Sequence, residues 1–134
     1  MIPGLDLYGV TDLSDGDQYP DATQIRRASD AVWRGWRLRA AELGRPEPAD
    51  LGGACKFAAL FAQSLFGGVI CANFDHVWVE VDGRVLDLTA LRADQIPDYN
   101  VDEAFMARTE FAESLESCRP RVERWAAEFR GDAT

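Results

Sequence analysis

The run His76-Val77-Trp78-Val79-Glu80-Val81-Asp82-Gly83-Arg84-Val85-Leu86-Asp87-Leu88-Thr89 decides how the chain is read. Aliphatic and β-branched residues alternate on both sides of Asp82-Gly83, a pair that favours the type I′ turn of a two-residue hairpin loop. With that loop length Val81 pairs with Arg84, Trp78 with Asp87 and His76 with Thr89. Side chains on a strand alternate faces with a period of two. His76, Trp78, Glu80, Val85, Asp87 and Thr89 therefore share one face, and Val77, Val79, Val81, Leu86 and Leu88 share the other. The second face is uniformly aliphatic and must enter a core. The first sets the chain's only histidine diagonally across from a carboxylate. A three-residue loop would reverse the parity and bury Asp87 unpaired, which is costly.

Upstream, Gly52-Gly53-Ala54-Cys55-Lys56-Phe57-Ala58-Ala59-Leu60 opens an apolar helical run from about Ala54 to Phe66, closed by Gly67-Gly68. Cys55 falls in the first turn of that helix. Unpaired N–H groups at a helix start favour an anion, and a thiol placed there becomes more acidic. The same N–H groups are placed to stabilise an oxyanion formed when the sulfur attacks a carbonyl. The competing reading of Cys55 is a small buried hydrophobe, which is what most free cysteines are. His76 is a strand-entrance residue in its own right, and Asp87 a turn former beside Thr89. The order nucleophile helix, base strand, carboxylate strand favours a triad: a carboxylate holds one imidazole nitrogen and leaves the other to take a thiol proton.

These two stretches resemble the core of the transglutaminase-like branch of papain-fold cysteine enzymes. There a Cys opens a helix, a His begins a strand in a H-x-W-V-E-x-x-G pattern, and an Asp follows on the next strand. The resemblance covers residues 50–90, about a third of the chain. It implies an α+β fold with a papain/transglutaminase-like core, in which the nucleophile helix packs on a small antiparallel sheet, with N- and C-terminal helices flanking it. It implies Cys55 as nucleophile, His76 as general base and acid, Asp87 as the orienting carboxylate, and a peptide or amide substrate. A Gln, Trp or Tyr upstream completes the oxyanion hole in papain relatives; Gln18, Gln24, Trp33 and Trp36 are the candidates. The hairpin is also similar to that of the small stand-alone leader peptidases of lasso-peptide biosynthesis, but those usually start the nucleophile helix with Cys-Leu-Pro where this chain has Cys55-Lys56-Phe57. Arylamine acetyltransferases share a Gly-Gly-x-Cys look at about twice the length.

The rest of the chain frames this core. A length of 134 residues suits one domain, residues 1–134, whose core is about 50–90. Asp21 and Gln24 have capping-box spacing ahead of a helix from about Ala22 to Leu43, with Ile25, Ala28, Val32, Trp36, Ala40 and Leu43 at helical spacing. Arg26, Arg27, Arg34, Arg37, Arg39 and Arg45 make that segment basic, which reads as a solvated face or an anion-binding surface. A strand is expected near Val69-Ile70-Cys71, a short helix from Asp102, and a last helix over about 110–130, interrupted or restarted at Pro120. Its buried stripe is Phe111, Leu115, Val122, Trp125 and Phe129. The substrate cleft is expected between the loops before Cys55 and around Ala72–Asp75, with Gly53 on it. Trp78 either walls it or packs beneath the nucleophile helix.

Composition narrows the partners. The net charge of -9, with 47% apolar and 28% charged residues, is that of a globular domain and disfavours nucleic acid. Three scattered Cys without a C-x-x-C pair and one His do not build a zinc site, so neither metal nor cofactor is expected. With no apolar span and no signal-peptide pattern, the expectation is no membrane association and a cytoplasmic location with free thiols. Cys71 and Cys118 read as structural thiols, a Cys71–Cys118 disulfide being disfavoured in that compartment. The function expected is cysteine-dependent acyl transfer of the peptidase, amidase or deamidase type. Two alternatives remain at this level: an inactive member of the fold serving as a binding or regulatory module, and an acidic inhibitor presenting Asp6, Asp12, Asp15 and Asp17. Sequence does not decide the oligomeric state.

Overall fold

The hairpin turn forms as its dipeptide dictates. Asp82 (φ 54°) and Gly83 (φ 75°) both occupy the left-handed region, the signature of a type I′ turn. In the computed structural model, which describes residues 19–92 and 96–132, this hairpin belongs to a three-stranded antiparallel sheet ordered β1-β2-β3. The strands are β1 (Val69–Ala72), β2 (Val77–Val81) and β3 (Arg84–Leu86). Four α-helices accompany them among the described residues: α1 (Ala22–Glu42), α2 (Cys55–Phe66), α3 (Glu103–Met106) and α4 (Thr109–Asp132). The architecture is α+β.

Register follows from the turn. Val81 pairs with Arg84, Glu80 with Val85 and Val79 with Leu86. The ladder ends there, one step short of the expected Trp78–Asp87 and His76–Thr89 pairs; β2 pairs Trp78 with Cys71 of β1 instead. Asp87 leaves the ladder because its carboxylate turns back to accept the N–H and hydroxyl of Thr89. The aliphatic face (Val77, Val79, Val81, Leu86, Leu88) is buried as its pattern requires.

Against that face lies α2, the most buried helix. Phe57 and the unbroken run Ala58-Ala59-Leu60-Phe61-Ala62 are enclosed because α2 is covered by β2 and by α4, with α1 packed alongside. A helix apolar on all sides can only be central. The capping box of Asp21 and Gln24 starts α1, while Leu43, expected as its last residue at helical spacing, is the C-cap and is 45% exposed. The basic face of α1 is partly spent on aromatics: Arg39 lies over Trp36 and Phe57 at 4.8 and 5.2 Å, and Arg27 over Phe129 at 5.5 Å.

Pro120 does not interrupt α4, contrary to expectation. Phe111, Leu115, Cys118, Val122, Trp125 and Ala126 are all buried and form one continuous stripe across the proline. The large side chains among them contribute about 1.5–3 kcal/mol each when enclosed, which together outweighs the ~3 kcal/mol cost of an interior proline. Cys118 is thus a core residue of α4 and not part of a break. Cys71 and Cys118 are both buried and free, and Cys55 is also a free thiol. None of the described helices is long and apolar enough to cross a membrane.

Candidate active site

Cys55 stands at the first position of α2, where Ala54 offers no side-chain cap. The loop before it reaches that point through Gly53, whose positive φ of 85° leads the chain into the helix. The Gly53 Cα faces the Trp36 ring, 3.8 Å from where a Cβ would stand. On the other side, His76 immediately precedes β2. Its backbone N–H is tied to Asn73 Oδ1 at 2.9 Å, and the Asp75 N–H to the same oxygen at 2.8 Å. The strand entrance is therefore a closed turn that points the imidazole toward the start of α2.

The three side chains singled out by the sequence meet. Asp87 Oδ2 lies 2.7 Å from His76 Nε2, and the two side chains are only 4% and 12% exposed. The thiol of Cys55 lines the same cleft as His76 and is coupled electrostatically to the imidazole and to the backbone of Val77. With Nε2 engaged by Asp87, Nδ1 is the nitrogen left for the thiol. The carboxylate is held in turn: Thr89 N–H and Oγ1 donate to Oδ1 at 3.0 and 2.7 Å, and Tyr99 OH donates to Oδ2 at 2.8 Å.

The electrostatics follow from these contacts. Burial pushes the Cys55 thiol up, but the coupling to His76 outweighs it and leaves the thiol below its ordinary value. Burial pulls His76 down, yet its bond to Asp87 and its coupling to Cys55 raise it to about 9. Burial likewise opposes ionisation of Asp87, and donors from His76, Thr89 and Tyr99 overcome it, so its carboxyl lies below the usual range. Both shifts favour the ion pair: the thiol ionises more readily, and the imidazole holds its proton more strongly, than either would in isolation. The other two thiols go the opposite way, raised chiefly by burial.

An open cleft of about 620 Å³ exposes this group, lined by Ala49–Gly53, Cys55, Asp75, His76, Thr89 and Pro97. The loops before Cys55 and at Asp75 form it, as the sequence suggested, with Thr89 and Pro97 added. Gly53 lines it. Trp78 does not: it is wholly buried, its ring stacked 6.2 Å from that of His76 and edge-on to Tyr99 at 5.3 Å. The indole is too large to share the sheet face with His76 and still reach solvent once Tyr99 covers it, so Trp78 backs the imidazole and does not wall the cleft. Among the upstream candidates, Gln18 lies outside the described residues, as do Asp6, Asp12, Asp15 and Asp17. Gln24 uses its side-chain oxygen on the Asp21 N–H, and Trp33 lies beneath Arg37. Trp36 packs against Gly53 without lining the cleft itself, and its Nε1 is buried without a partner.

Two residues of the site escaped the sequence reading. Asn73 is buried, and its Nδ2 donates to the carbonyls of Asp98 and Asn100 at 2.9 Å each while its Oδ1 holds the strand entrance. Tyr99 sits between those two carbonyls. Asn before a strand signals a turn, but nothing local announces a partner 25 residues away. Among the described residues no group of three or more His, Cys, Asp or Glu side chains is placed to hold a metal ion. Compared with known proteins, the chain matches no protein-family model, no curated protein and no solved structure.

Proposed function

We propose that the chain is a cysteine-dependent acyl-transfer enzyme of the peptidase, amidase or deamidase type, built on a core like that of the papain and transglutaminase-like enzymes. The observation that carries this reading is that Cys55 and His76 line one open cleft while Asp87, buried behind them, holds His76 Nε2 at 2.7 Å. A thiol whose acidity is raised by a neighbouring imidazole, itself oriented by a carboxylate, is the arrangement of an activated nucleophile.

In this reading the Cys55 thiolate attacks the carbonyl carbon of an amide or ester, forming a C–S bond and placing negative charge on the carbonyl oxygen. The uncapped N–H groups opening α2 are the donors for that charge. Collapse breaks the bond to the leaving amine or alcohol, which takes the imidazolium proton. Water or an amine then attacks the thioester while neutral His76 accepts its proton, and the thiolate departs. Asp87 keeps the ring oriented and stabilises its charged form throughout. No metal or cofactor enters this chemistry.

Iodoacetamide labelling across pH tests it. Cys55 is expected to react selectively below the pH at which an ordinary thiol ionises, and His76→Ala is expected to abolish that advantage. Selectivity over Cys71 and Cys118 alone would reflect their burial, so the dependence on His76 decides. Equal reactivity of Cys55 in both proteins overturns the triad and leaves a binding module of the same fold. Screening peptide and amide libraries against Cys55→Ala as control then reads out the reaction itself.

A further inference from the structure

Asp87 Oδ2 has two donors. One is His76 Nε2 at 2.7 Å, and the other is the Tyr99 hydroxyl at 2.8 Å, which arrives from the loop on the far side of the carboxylate. Oδ1 is filled separately by the two donors of Thr89. Tyr99 is not carried there loosely. Asn73 grips the carbonyls on either side of it, at Asp98 and Asn100, and the Asp102 N–H bonds to Ala72 O at 2.9 Å, so the loop is fastened to the end of β1. The same carboxamide holds the His76 backbone. One buried side chain thus sets the spacing between the imidazole and the phenol that compete for a single oxygen. The Tyr99 ring stands edge-on to both His76 and Trp78, at 6.1 and 5.3 Å, and it does not line the cleft.

We infer that Tyr99 is a positioning residue of this site: by sharing Oδ2 with His76 it draws charge from that oxygen and limits how strongly Asp87 holds the imidazolium. The inference rests on the triad reading and deepens it. An imidazolium that must give its proton to a leaving group is a poor acid if the carboxylate behind it is unshared. A second donor on the same oxygen weakens the His76–Asp87 bond without releasing the ring, because Thr89 still fixes the carboxylate through Oδ1. Tyr99 remains a donor over the working range, since burial and the Asp87 carboxylate both raise the pH at which it ionises. The other titratable groups facing the ring are Cys55 from α2 and Asp87 after β3. Lys56 acts on the thiol and Tyr19 on Tyr99, each at one remove.

Tyr99→Phe keeps the ring contacts and removes only the hydroxyl. His76 is the chain's one histidine, so its ring C–H signals can be titrated by proton NMR without ambiguity, and iodoacetamide rates give the thiol midpoint in the same samples. The variant is expected to move the His76 midpoint up and the Cys55 midpoint down, widening the ion-pair window at both ends. A brace that merely supported the site would do the reverse on removal, returning both groups toward their ordinary values. That result, or an unmoved His76 midpoint in Tyr99→Phe, overturns the role of Tyr99 while the wild-type ion pair stands. Failure of the triad reading looks different: His76 then titrates near 6.5 and Cys55 reacts as an ordinary thiol in the wild-type protein itself, and both inferences fall together.

Discussion

Asn73 Oδ1 accepts the backbone N–H of His76 at 2.9 Å. The bond matters because His76 lies outside the β-ladder, where no strand partner fixes its backbone; β2 begins one residue later. Asn73 N–H also bonds to the carbonyl of His76 at 3.0 Å, closing the turn from both ends. The orientation of the imidazole is therefore set by a turn and not by the sheet.

Asn73→Ala is expected to be more damaging than the loss of one surface amide. It leaves the carbonyls of Asp98 and Asn100 and the N–H groups of Asp75 and His76 without their partner. Each unsatisfied buried group costs about 1–3 kcal/mol, less where water enters. A total loss on the order of 2–4 kcal/mol in urea unfolding, together with loss of the Cys55 rate advantage toward iodoacetamide, is the expected outcome. A variant as stable as the parent would show that the turn holds itself.

What was legible in the sequence divides along physical lines. Patterns with a short period were readable: the alternation around Asp82-Gly83 predicted the turn, the Val81–Arg84 pair and the buried face of Val77, Val79 and Val81, though not that the ladder stops before Asp87, and the capping box predicted the start of α1. Cys55, His76 and Asp87 were legible because scarce reactive residue types fell on elements whose faces could be deduced. The contributions of Asn73 and Tyr99 were not, since both depend on where a loop crosses the end of β1, and loop paths carry no periodic signal. Trp78 was half readable: parity placed it beside His76, but only the packing of Tyr99 over it decided that it is buried. Pro120 was misleading for a related reason, because a local helix-breaking tendency yields to a stripe of buried side chains that continues beyond it.

Gly35 on α1 lies directly against the Trp125 ring of α4. A Cβ there would stand 2.4 Å from Cε2 of Trp125 on α4. The indole ring has little room to retreat, being buried and packed on Phe57 at 5.7 Å. Gly35→Ala therefore sets the gain in helix propensity, about 1 kcal/mol, against overpacking of about 1–3 kcal/mol. Net destabilisation in a denaturant titration is expected, with a near-UV circular dichroism change reporting displacement of Trp125. A stabilised variant would mean that α1 and α4 separate freely.

Asp87→Asn separates charge from shape. The amide keeps the shape but only one acceptor oxygen, so it can serve either the Thr89 donors or the Oδ2 side shared by His76 and Tyr99, and it no longer favours the imidazolium. His76 is expected to fall from about 9 toward its ordinary 6.5, and the Cys55 thiol to rise as it loses a charged partner. The thiolate fraction at a pH below both midpoints drops about tenfold for each unit by which the thiol rises. Iodoacetamide rates measured between pH 5 and 7 check this directly. An unchanged profile would assign the raised imidazole to Cys55 alone.

Stability against pH gives the last prediction, because the two shifts have opposite signs. His76 is raised on folding, so its stabilisation is complete below 6.5 and is lost as pH rises through about 9. Cys55 is lowered, so its stabilisation is present above the ordinary thiol value of 9.0 and is lost as pH falls through its folded value. In the part of the interval from 6.5 to about 9 that lies above the folded thiol value, the slopes oppose each other: folding moves the thiol proton to the imidazole and binds no net proton. Wild-type stability is therefore expected to be nearly flat over that part as far as this pair is concerned. Cys55→Ala removes one slope and keeps the other, since Asp87 still raises His76. Its unfolding free energy, relative to that of the wild type, should decline as pH rises from the folded thiol value toward 9. Parallel curves for the two proteins would mean that no proton passes between thiol and imidazole on folding.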